Sequence, residues 1–406
     1  MFTDKQLKNY ASVMVNYAVG NSKGVQAGET VLVIGNETSK PLYLEILKQI
    51  WAAGANVIQQ YYPTEAPRGN KSTLFFDNIT TDSQLDFAAK AMQSGIVKDV
   101  DHLLLIIAND NPTELKDVDA ALIKRLNNSG THFMKERRDA EMAGELTWTL
   151  CLYPTQAYAD EAEMSLSAYF NEVANACYLN DEDPVTSWKN FKIANSTVKD
   201  YLDKLDIDKL HIQGEDADLW IQIGAHRKWL GASGRNIPSF EVFVSPDWRG
   251  TEGWVNFNQP LYYGGKKITG ISLAFEKGKV TKIAAQENED TLVQMIKENE
   301  NADQVGEFSL TDSRHSKITK FMANTLFDEN AGGAFGNMHI AVGASYRDAY
   351  AGDASKMTED DWENLGFNKC AAVHTDIVST TNRKVTAYLK NGKEEVIYKD
   401  GKFAFI

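Results

Sequence analysis

The sequence lacks several features that mark other classes of protein. Its three cysteines, Cys151, Cys177 and Cys370, are widely spaced and form neither a C-x-x-C pair nor a disulfide-dense pattern. We expect them to be buried thiols in a reducing cytoplasm. No uninterrupted apolar run approaches the roughly 18 residues that span a bilayer, and residues 1–8 show no apolar segment behind a basic one. These absences predict a cytoplasmic protein without membrane contacts.

Positive charge is also scarce. The chain has 42 lysines and arginines against 56 aspartates and glutamates, a net charge of −14. Nucleic acids and anionic lipids attract basic patches, so we expect sequence-independent binding to neither. The turn after the first predicted strand, residues 35–38, lacks the G-x-G-x-x-G and Walker patterns, which argues against a nucleotide site there. No internal repeat or low-complexity segment is present.

The first half of the chain alternates strand and helix patterns. Residues 29–35 and 55–61 are typical of buried strands, and the helical pattern of residues 40–54 lies between them. Such a β-α-β unit implies a parallel pair of strands with a right-handed crossover. Residues 101–108 predict another buried strand, and a helix ending near residues 127–130 follows it. The first half is therefore predicted to be α/β.

Beyond about residue 210, many short strands and tight turns replace this alternation. Residues 268–275 and 279–285 flank a Glu-Lys-Gly turn, and residues 385–389 and 395–398 flank Asn391-Gly392. Both arrangements are typical of hairpins. The pattern predicts an α+β second half with an antiparallel sheet or barrel.

The length of 406 residues exceeds the size at which a single hydrophobic core keeps growing, so we expect two domains. The charged stretch at residues 199–209 is the best candidate for the boundary. We therefore predict an α/β N-terminal domain at residues 1–209 and an α+β domain at residues 210–406.

His374-Thr375-Asp376 is the most informative motif. It lies in residues 371–378, a run predicted to be a buried strand. Side chains two residues apart on a strand point to the same face, so the imidazole and the carboxylate emerge side by side. Zinc, manganese and cobalt accept both ligand types. The alternative is a hydrogen-bonded histidine–aspartate pair without a metal.

Glu241 and Glu307 each lie within a strand-like run, and His339 opens the segment 338–346. If that segment is helical, His339 and Tyr346 are seven residues apart and share a face. Together with the H-T-D motif, these side chains resemble the shell of two divalent cations, which requires one carboxylate to bridge both ions. The alternatives are exposed glutamates, a hydrogen-bonded helix histidine and a core tyrosine.

Local motifs around these residues resemble the M29 family, the thermophilic-type, two-metal aminopeptidases of bacteria. The motifs are PSFEVF at 238–243, GE at 306–307, NTLFDEN at 324–330 and HTD at 374–376, with LTWT at 146–149, YPT at 153–155 and DEDPV at 181–185 in the first half. The resemblance covers nearly the whole chain. It implies that the metal ligands are Glu241, Glu307, His339, His374 and Asp376, and that the active-site tyrosine is Tyr346.

The sequence departs from the family pattern at two places. Many members have paired glutamates where this chain has Phe240-Glu241, and phenylalanine cannot bind a metal, so Glu241 is the predicted ligand. The segment 332–337 before His339 is longer and richer in glycine than is typical. We expect it to reshape one wall of the pocket.

The resemblance implies a metal-dependent aminopeptidase that takes peptides with a free N-terminus, uses two ions of zinc, cobalt or manganese, and forms a homodimer. Glu307 is the predicted bridge and a catalytic residue, and Tyr346 is the predicted hydrogen-bond donor to the oxyanion. Asp328 and Glu329 lie close to His339 in sequence. They are either residues that orient the ligands or a charge pair at a helix end.

Two other functions stay open from the sequence. One is a different dinuclear hydrolase, an amidase or a phosphoesterase, for which Arg227, Lys228 and Arg249 are candidate phosphate-binding residues. The other is a non-enzymatic protein that binds peptides through its α/β half.

Overall fold

The computed structural model describes residues 1–63, 72–370 and 373–406. The chain divides into two compact units. The first comprises Met1–Lys189 and Ser233–Pro238, and the second comprises Asn190–Ala232 and Ser239–Ile406. The domain boundary at residue 209 stays a prediction.

The described residues form helices and strands throughout both units. The α-helices are α1 (Asp4–Val13), α2 (Lys40–Ala52), α3 (Thr73–Phe76), α4 (Asp82–Leu85), α5 (Lys90–Asp99), α6 (Ala120–Ser129), α7 (Thr131–Met142), α8 (Gln156–Glu161), α9 (Leu166–Ala176), α10 (Pro184–Lys204), α11 (Glu289–Lys297), α12 (Thr325–Asp328) and α13 (Glu359–Asn364). The strands are β1 (Thr30–Asn36), β2 (Asn56–Tyr62), β3 (His102–Ile107), β4 (Thr147–Leu152), β5 (Ile207–Gly214), β6 (Ala217–Gln222), β7 (Asn236–Ile237), β8 (Glu241–Val244), β9 (Asp247–Phe257), β10 (Leu261–Tyr263), β11 (Lys266–Ile268), β12 (Ile271–Glu276), β13 (Lys279–Ala284), β14 (Val305–Thr311), β15 (Asn337–Gly343), β16 (His374–Ser379), β17 (Arg383–Leu389), β18 (Glu394–Lys399) and β19 (Lys402–Phe403).

The first unit is built on a parallel sheet with the strand order β2-β1-β3-β4-β7. The residues of β1 and β3 are mostly buried, as expected of parallel strands. Pro41 lies in the first turn of α2, where its missing N–H costs nothing. Gly54, with a φ of 77°, follows the end of that helix. The predicted β-α-β unit and the α/β character of the first half are confirmed.

The second unit contains antiparallel sheets. Eight strands follow the order β13-β12-β9-β6-β5-β17-β18-β19, four follow the order β16-β15-β14-β8, and β10 pairs with β11. One buried cluster includes Leu210 and Leu219 of the larger sheet and Phe308 and Ile340 of the smaller sheet. The predicted antiparallel sheets are confirmed, including the hairpins β12–β13 and β17–β18.

The expectation of a helix over residues 338–346 is wrong. The segment forms β15, which lies between β14 and β16. Met338, Ile340 and Val342 all belong to the buried cluster, a period of two that suits a strand. Tyr346 lies beyond the end of β15, so no helical face joins it to His339.

The strand that carries the H-T-D motif is β16, which begins at His374 and continues to Ser379. Residues 371 and 372 of the predicted strand lie outside the described residues. The three cysteines are free thiols, and all three are buried, as predicted. Across the described ranges, we find no helix that combines the length and the apolar character needed to cross a membrane.

A buried ion pair joins three elements of the second unit. Arg383, at the start of β17, places its guanidinium 3.3 Å from Asp216, which lies between β5 and β6. The same guanidinium donates a 2.9 Å hydrogen bond to the carbonyl of Ser379 at the end of β16. The Arg383 side chain is completely buried. The arginine therefore connects β16, the strand of the H-T-D motif, to the larger sheet.

Arg383→Ala should lower the free energy of unfolding by about 3–5 kcal/mol, because it leaves the carboxylate of Asp216 buried without its cation. Denaturant unfolding would measure this loss. Lys384→Ala is the matched control, since the neighbouring Lys384 is exposed and should change stability by less than about 0.5 kcal/mol. Equal effects of the two substitutions would contradict the assigned importance of the ion pair.

Candidate metal centre

Five of the six predicted site residues lie on the four-stranded sheet. They are Glu241 on β8, Glu307 on β14, His339 on β15, and His374 and Asp376 on β16. Ala341 of β15 pairs with both Glu307 and Asp376. Glu241 pairs with Thr311, four residues along β14 from Glu307. Paired residues on neighbouring strands share a face, as do residues two apart along one strand, so all five side chains project from the same face.

These side chains form two groups that share Glu307. The potential ligand atoms in each group all lie within 4.8 Å of one another. We name Glu241, Glu307 and His339 the inner group, since all three are buried, and Glu307, His374 and Asp376 the outer group, since the last two are partly exposed.

Glu307 lies between the two imidazoles. Its Oε1 is 3.1 Å from Nε2 of His339, and its Oε2 is 3.6 Å from Nε2 of His374. Nε2 of His339 is also 3.3 Å from Oε2 of Glu241, and Nε2 of His374 is 3.7 Å from Oδ1 of Asp376. The structure therefore brings together all five predicted ligands, and their role as ligands stays a prediction.

The donor set fits divalent cations. In the described part of the chain, the ion-pair partners of Glu241, Glu307 and Asp376 are the two histidines. Oδ1 of Asp376 is buried and has no hydrogen-bond partner among the described residues. Carboxylate oxygens and imidazole nitrogens are the ligands that zinc, cobalt and manganese accept. A buried carboxylate oxygen that accepts no hydrogen bond is available to bind such a cation.

Burial and charge shift the pKa values of this cluster. Burial raises the pKa of Glu307 to about 7, against the opposing effect of its hydrogen bond with His339. Burial lowers the pKa of His339, but its hydrogen bonds with Glu241 and Glu307 outweigh that effect and hold the pKa well above its usual range. The cluster by itself therefore favours protonated forms. A dication among these groups would supply the same positive charge.

Two backbone carbonyls orient the histidines. Nδ1–H of His339 donates to the carbonyl of Glu329 at 3.1 Å, and Nδ1–H of His374 donates to the carbonyl of Ala344 at 2.7 Å. A carbonyl can only accept, so each Nδ1 carries the proton and each Nε2 is left to face the carboxylates. The contact with Ala344 cannot be predicted from the sequence, because a contact with a backbone carbonyl leaves no signal in residue type.

Two serines orient the carboxylate of Glu241. Ser239 donates to Oε1 at 3.2 Å and Ser309 donates to Oε2 at 3.4 Å. Ser309 pairs with His339 across β14 and β15, so the strand register itself sets its position. Neither serine was predicted as a site residue from the sequence. The alternation of polar and apolar residues along β14 is the signal that could have placed Ser309 on the face of Glu307.

Tyr346 lies next to the outer group. Its ring centroid is 4.7 Å from that of His374, and 37% of the residue is exposed. Its backbone N–H donates to the hydroxyl of Ser245 at 2.8 Å. Desolvation of the phenol, followed by the charges of Glu307 and Asp376, raises its pKa well above 10. The phenol therefore keeps its proton near neutral pH and can donate a hydrogen bond.

Asp328 and Glu329 are both buried, so they are not a charge pair at an exposed helix end. The carboxylate of Asp328 accepts the backbone N–H groups of Met322 and Asn324 at 2.7 and 2.9 Å, which fixes the loop before α12. Burial raises its pKa to about 7. Glu329 contacts the site directly through its carbonyl. Of the two, Glu329 therefore orients a predicted ligand.

The departures from the family pattern have structural counterparts. The ring of Phe240 is buried 5.1 Å from that of Phe191, so this side chain contributes to apolar packing. In the glycine-rich segment, Gly336 has a φ of 59°, and a Cβ there would lie 2.1 Å from the carbonyl oxygen of Thr311. Glycine is required at that close approach of backbone segments.

Comparisons with known proteins identify the family of this chain. The model of the thermophilic metalloprotease family M29 matches residues 3–403. Aminopeptidase 2 from Geobacillus stearothermophilus is 26% identical over 99% of this chain and 98% of its own length. Aminopeptidase AmpS from Bacillus subtilis is 26% identical over 99% of both chains. The chain therefore belongs to the M29 family, and the predicted classes of metalloprotease and hydrolase are confirmed.

The solved structure of wild-type AmpT from Thermus thermophilus has the same fold. The TM-score is 0.82 over 98% of this chain and 99% of that chain, at 20% sequence identity. The combination of a parallel sheet with antiparallel sheets is therefore shared with a solved structure.

Demetallated protein should lose stability as the pH rises from about 4.5 to about 7. The unfolded chain releases the Glu307 proton near pH 4.5, whereas the folded protein keeps it up to about pH 7, so the folded state binds more protons in that window. The raised pKa of His339 acts in the same direction. Unfolding by denaturant after chelation, at pH 5 and pH 8, would measure the change.

Glu307→Gln is the control for this pH dependence, because glutamine does not titrate. Its free energy of unfolding should fall less between pH 5 and pH 8 than that of the unmodified protein. A demetallated protein that gains stability over this range, or an identical slope in both proteins, would show that Glu307 is not the titrating group.

Proposed function

We propose that this chain is a metal-dependent aminopeptidase that releases N-terminal amino acids from peptides with the help of two divalent cations. The observation that supports it most strongly is the pair of ligand groups sharing Glu307. Membership of the M29 family supports the same conclusion, as do relatives named aminopeptidase. Zinc, cobalt and manganese all suit the donor set.

The inner group would hold one cation and the outer group the other, with Glu307 between them. When bound, such cations supply Lewis-acid chemistry, which polarises a carbonyl and makes water more acidic. The protein would contribute the fixed imidazoles of His339 and His374 and the carboxylates of Glu241 and Asp376. Carbonyl and hydroxyl groups orient His339, His374 and Glu241 before substrate arrives, which reduces the reorganisation that the reaction requires.

Tyr346 would donate its phenolic hydrogen to the oxygen of the scissile carbonyl as negative charge develops there. Its raised pKa suits donation, because the proton stays on the phenol at the pH of the reaction. Its partial exposure beside His374 suits contact with a peptide. A peptide with a free, positively charged N-terminus would also be attracted by this acidic face.

The other functions considered from the sequence receive less support. A phosphoesterase needs free cationic groups around the phosphate. The guanidinium of Arg227 donates to the carbonyls of Ser245 and Leu365 at 2.6 and 2.8 Å, and that of Arg249 pairs with Asp247. A purely peptide-binding protein does not explain the family membership. A cytoplasmic location and a homodimeric state are part of our proposal, from the free thiols and the family resemblance.

Chelation should abolish hydrolysis of an aminoacyl anilide, and zinc, cobalt or manganese should restore it. We expect two ions per chain before chelation. An N-acetylated anilide and a phosphate ester serve as control substrates and should not be hydrolysed, because the proposal requires a free amine and an acyl carbon. Full activity in exhaustively demetallated protein, or equal hydrolysis of the acetylated substrate, would contradict the proposed function.

Tyr346→Phe should lower kcat by roughly 10²–10³, the usual cost of one oxyanion donor, while the metal content and KM stay unchanged. Steady-state kinetics on a short peptide, with metal analysis of the same samples, would test this. Tyr350→Phe is the control, because Tyr350 packs against Trp362 in the same loop region and has no proposed role. A loss of metal in Tyr346→Phe would identify the phenol as a ligand instead.

A further inference from the structure

The side chain of Asn330 lies between two segments that lead to the inner group. It is completely buried. Its Oδ1 accepts the backbone N–H of Phe240 at 2.6 Å, and its Nδ2 donates to the carbonyl of Leu326 at 3.1 Å and to Oε1 of Glu329 at 3.3 Å. An N–H must face the oxygen and a carbonyl must face the nitrogen, so these partners fix the orientation of the amide.

One segment that Asn330 holds leads into a residue of the inner group, and the other contacts a residue of the inner group. Phe240 immediately precedes Glu241, the first residue of β8. Glu329, which precedes Asn330 in the chain, accepts the Nδ1–H of His339 through its carbonyl. One side chain therefore connects the backbone beside Glu241 to the backbone that orients His339.

The outer group has separate supports. Nδ1–H of His374 donates to the carbonyl of Ala344, and Tyr346 is held by Ser245. None of these residues is among the hydrogen-bond partners of the Asn330 side chain within the described ranges. Loss of the Asn330 amide should therefore act on the inner group and spare the outer group.

We infer that Asn330 is a positioning residue that sets the spacing of Glu241 and His339 and so determines the affinity of the inner group for its cation. The inference rests on the proposed function, since it needs the two cation sites. Residues that orient metal ligands typically change metal affinity by 10–100-fold when they are replaced. Asn330 provides the connection through hydrogen bonds to backbone and carboxylate, without binding the cation itself.

The test is a titration of the demetallated Asn330→Ala variant with zinc, in which calorimetry measures the affinity of each binding step. One of the two binding steps should weaken by about 10–100-fold, and the other should keep the affinity of the unmodified protein. Two backgrounds identify the weakened step. In Glu241→Gln, which already lacks an inner ligand, adding Asn330→Ala should leave the remaining step unchanged. In Asp376→Asn, which lacks an outer ligand, adding Asn330→Ala should weaken the remaining binding step, at the inner group.

Asn36→Ala is the matched control, because Asn36 is an equally buried amide in the first unit. Its Nδ2 donates to the carbonyl of Ala108 at 2.6 Å and its Oδ1 accepts the N–H of Ser39 at 3.1 Å. Both zinc-binding steps should be unchanged in this variant. The melting temperature of this variant measures how much stability is lost with a buried amide that does not contact the inner group.

Ser316→Ala is a milder variant for the case in which Asn330→Ala does not fold. The hydroxyl of Ser316 donates to the backbone carbonyl of Asn330, so its loss should weaken the same zinc-binding step to a smaller extent. Equal weakening of both steps, no weakening of either, or the same loss in Asn36→Ala would overturn the inference. An unmodified protein that binds no zinc would instead overturn the proposed function.

Discussion

The concentration of like charge on one buried sheet face is the constraint on which the second unit depends. Glu241 and Glu307 are 7% and 3% exposed, and their ion-pair partners among the described residues are imidazoles. A buried carboxylate without a cation is costly, and its usual response is to take up a proton. The raised pKa of Glu307 is that response. Divalent cations would remove the cost, which makes metal binding and folding linked processes in this unit.

The four-stranded sheet separates chemistry from packing by the alternation of its strands. Phe308, Ile340 and Ile377 belong to the buried apolar cluster, and the residues next to them along each strand face the acidic site. Ala341 occupies the centre of the acidic face, between Glu307 and Asp376. A methyl group at that position leaves space for the longer side chains of the two predicted ligands on either side. A one-residue slip of register would exchange the two faces, so the apolar core also fixes the positions of the predicted ligands.

The sequence predicted what depends on local pattern and on family resemblance. The strands carrying Glu307 and the H-T-D motif were recognised from short apolar runs interrupted by a polar residue, and the hairpins from their turns. The segment around His339 was interpreted as a helix because a short apolar run fits the period of a helix as well as that of a strand. Its position between β14 and β16 shows that it is a strand. Contacts such as Ala344 to His374 join a side chain to distant backbone, which residue type does not encode.

The two ligand groups differ in their access to solvent, and this difference assigns them different parts in the proposed reaction. The inner group is buried, whereas the side chains of His374 and Asp376 are 22% and 15% exposed. Tyr346 stands beside His374 and is more exposed than either. A peptide reaching the acidic face therefore meets the outer group and the phenol before the inner group. Because desolvation strengthens electrostatic interactions, a cation in the inner group would contribute most to stability, and the outer side would contact the substrate.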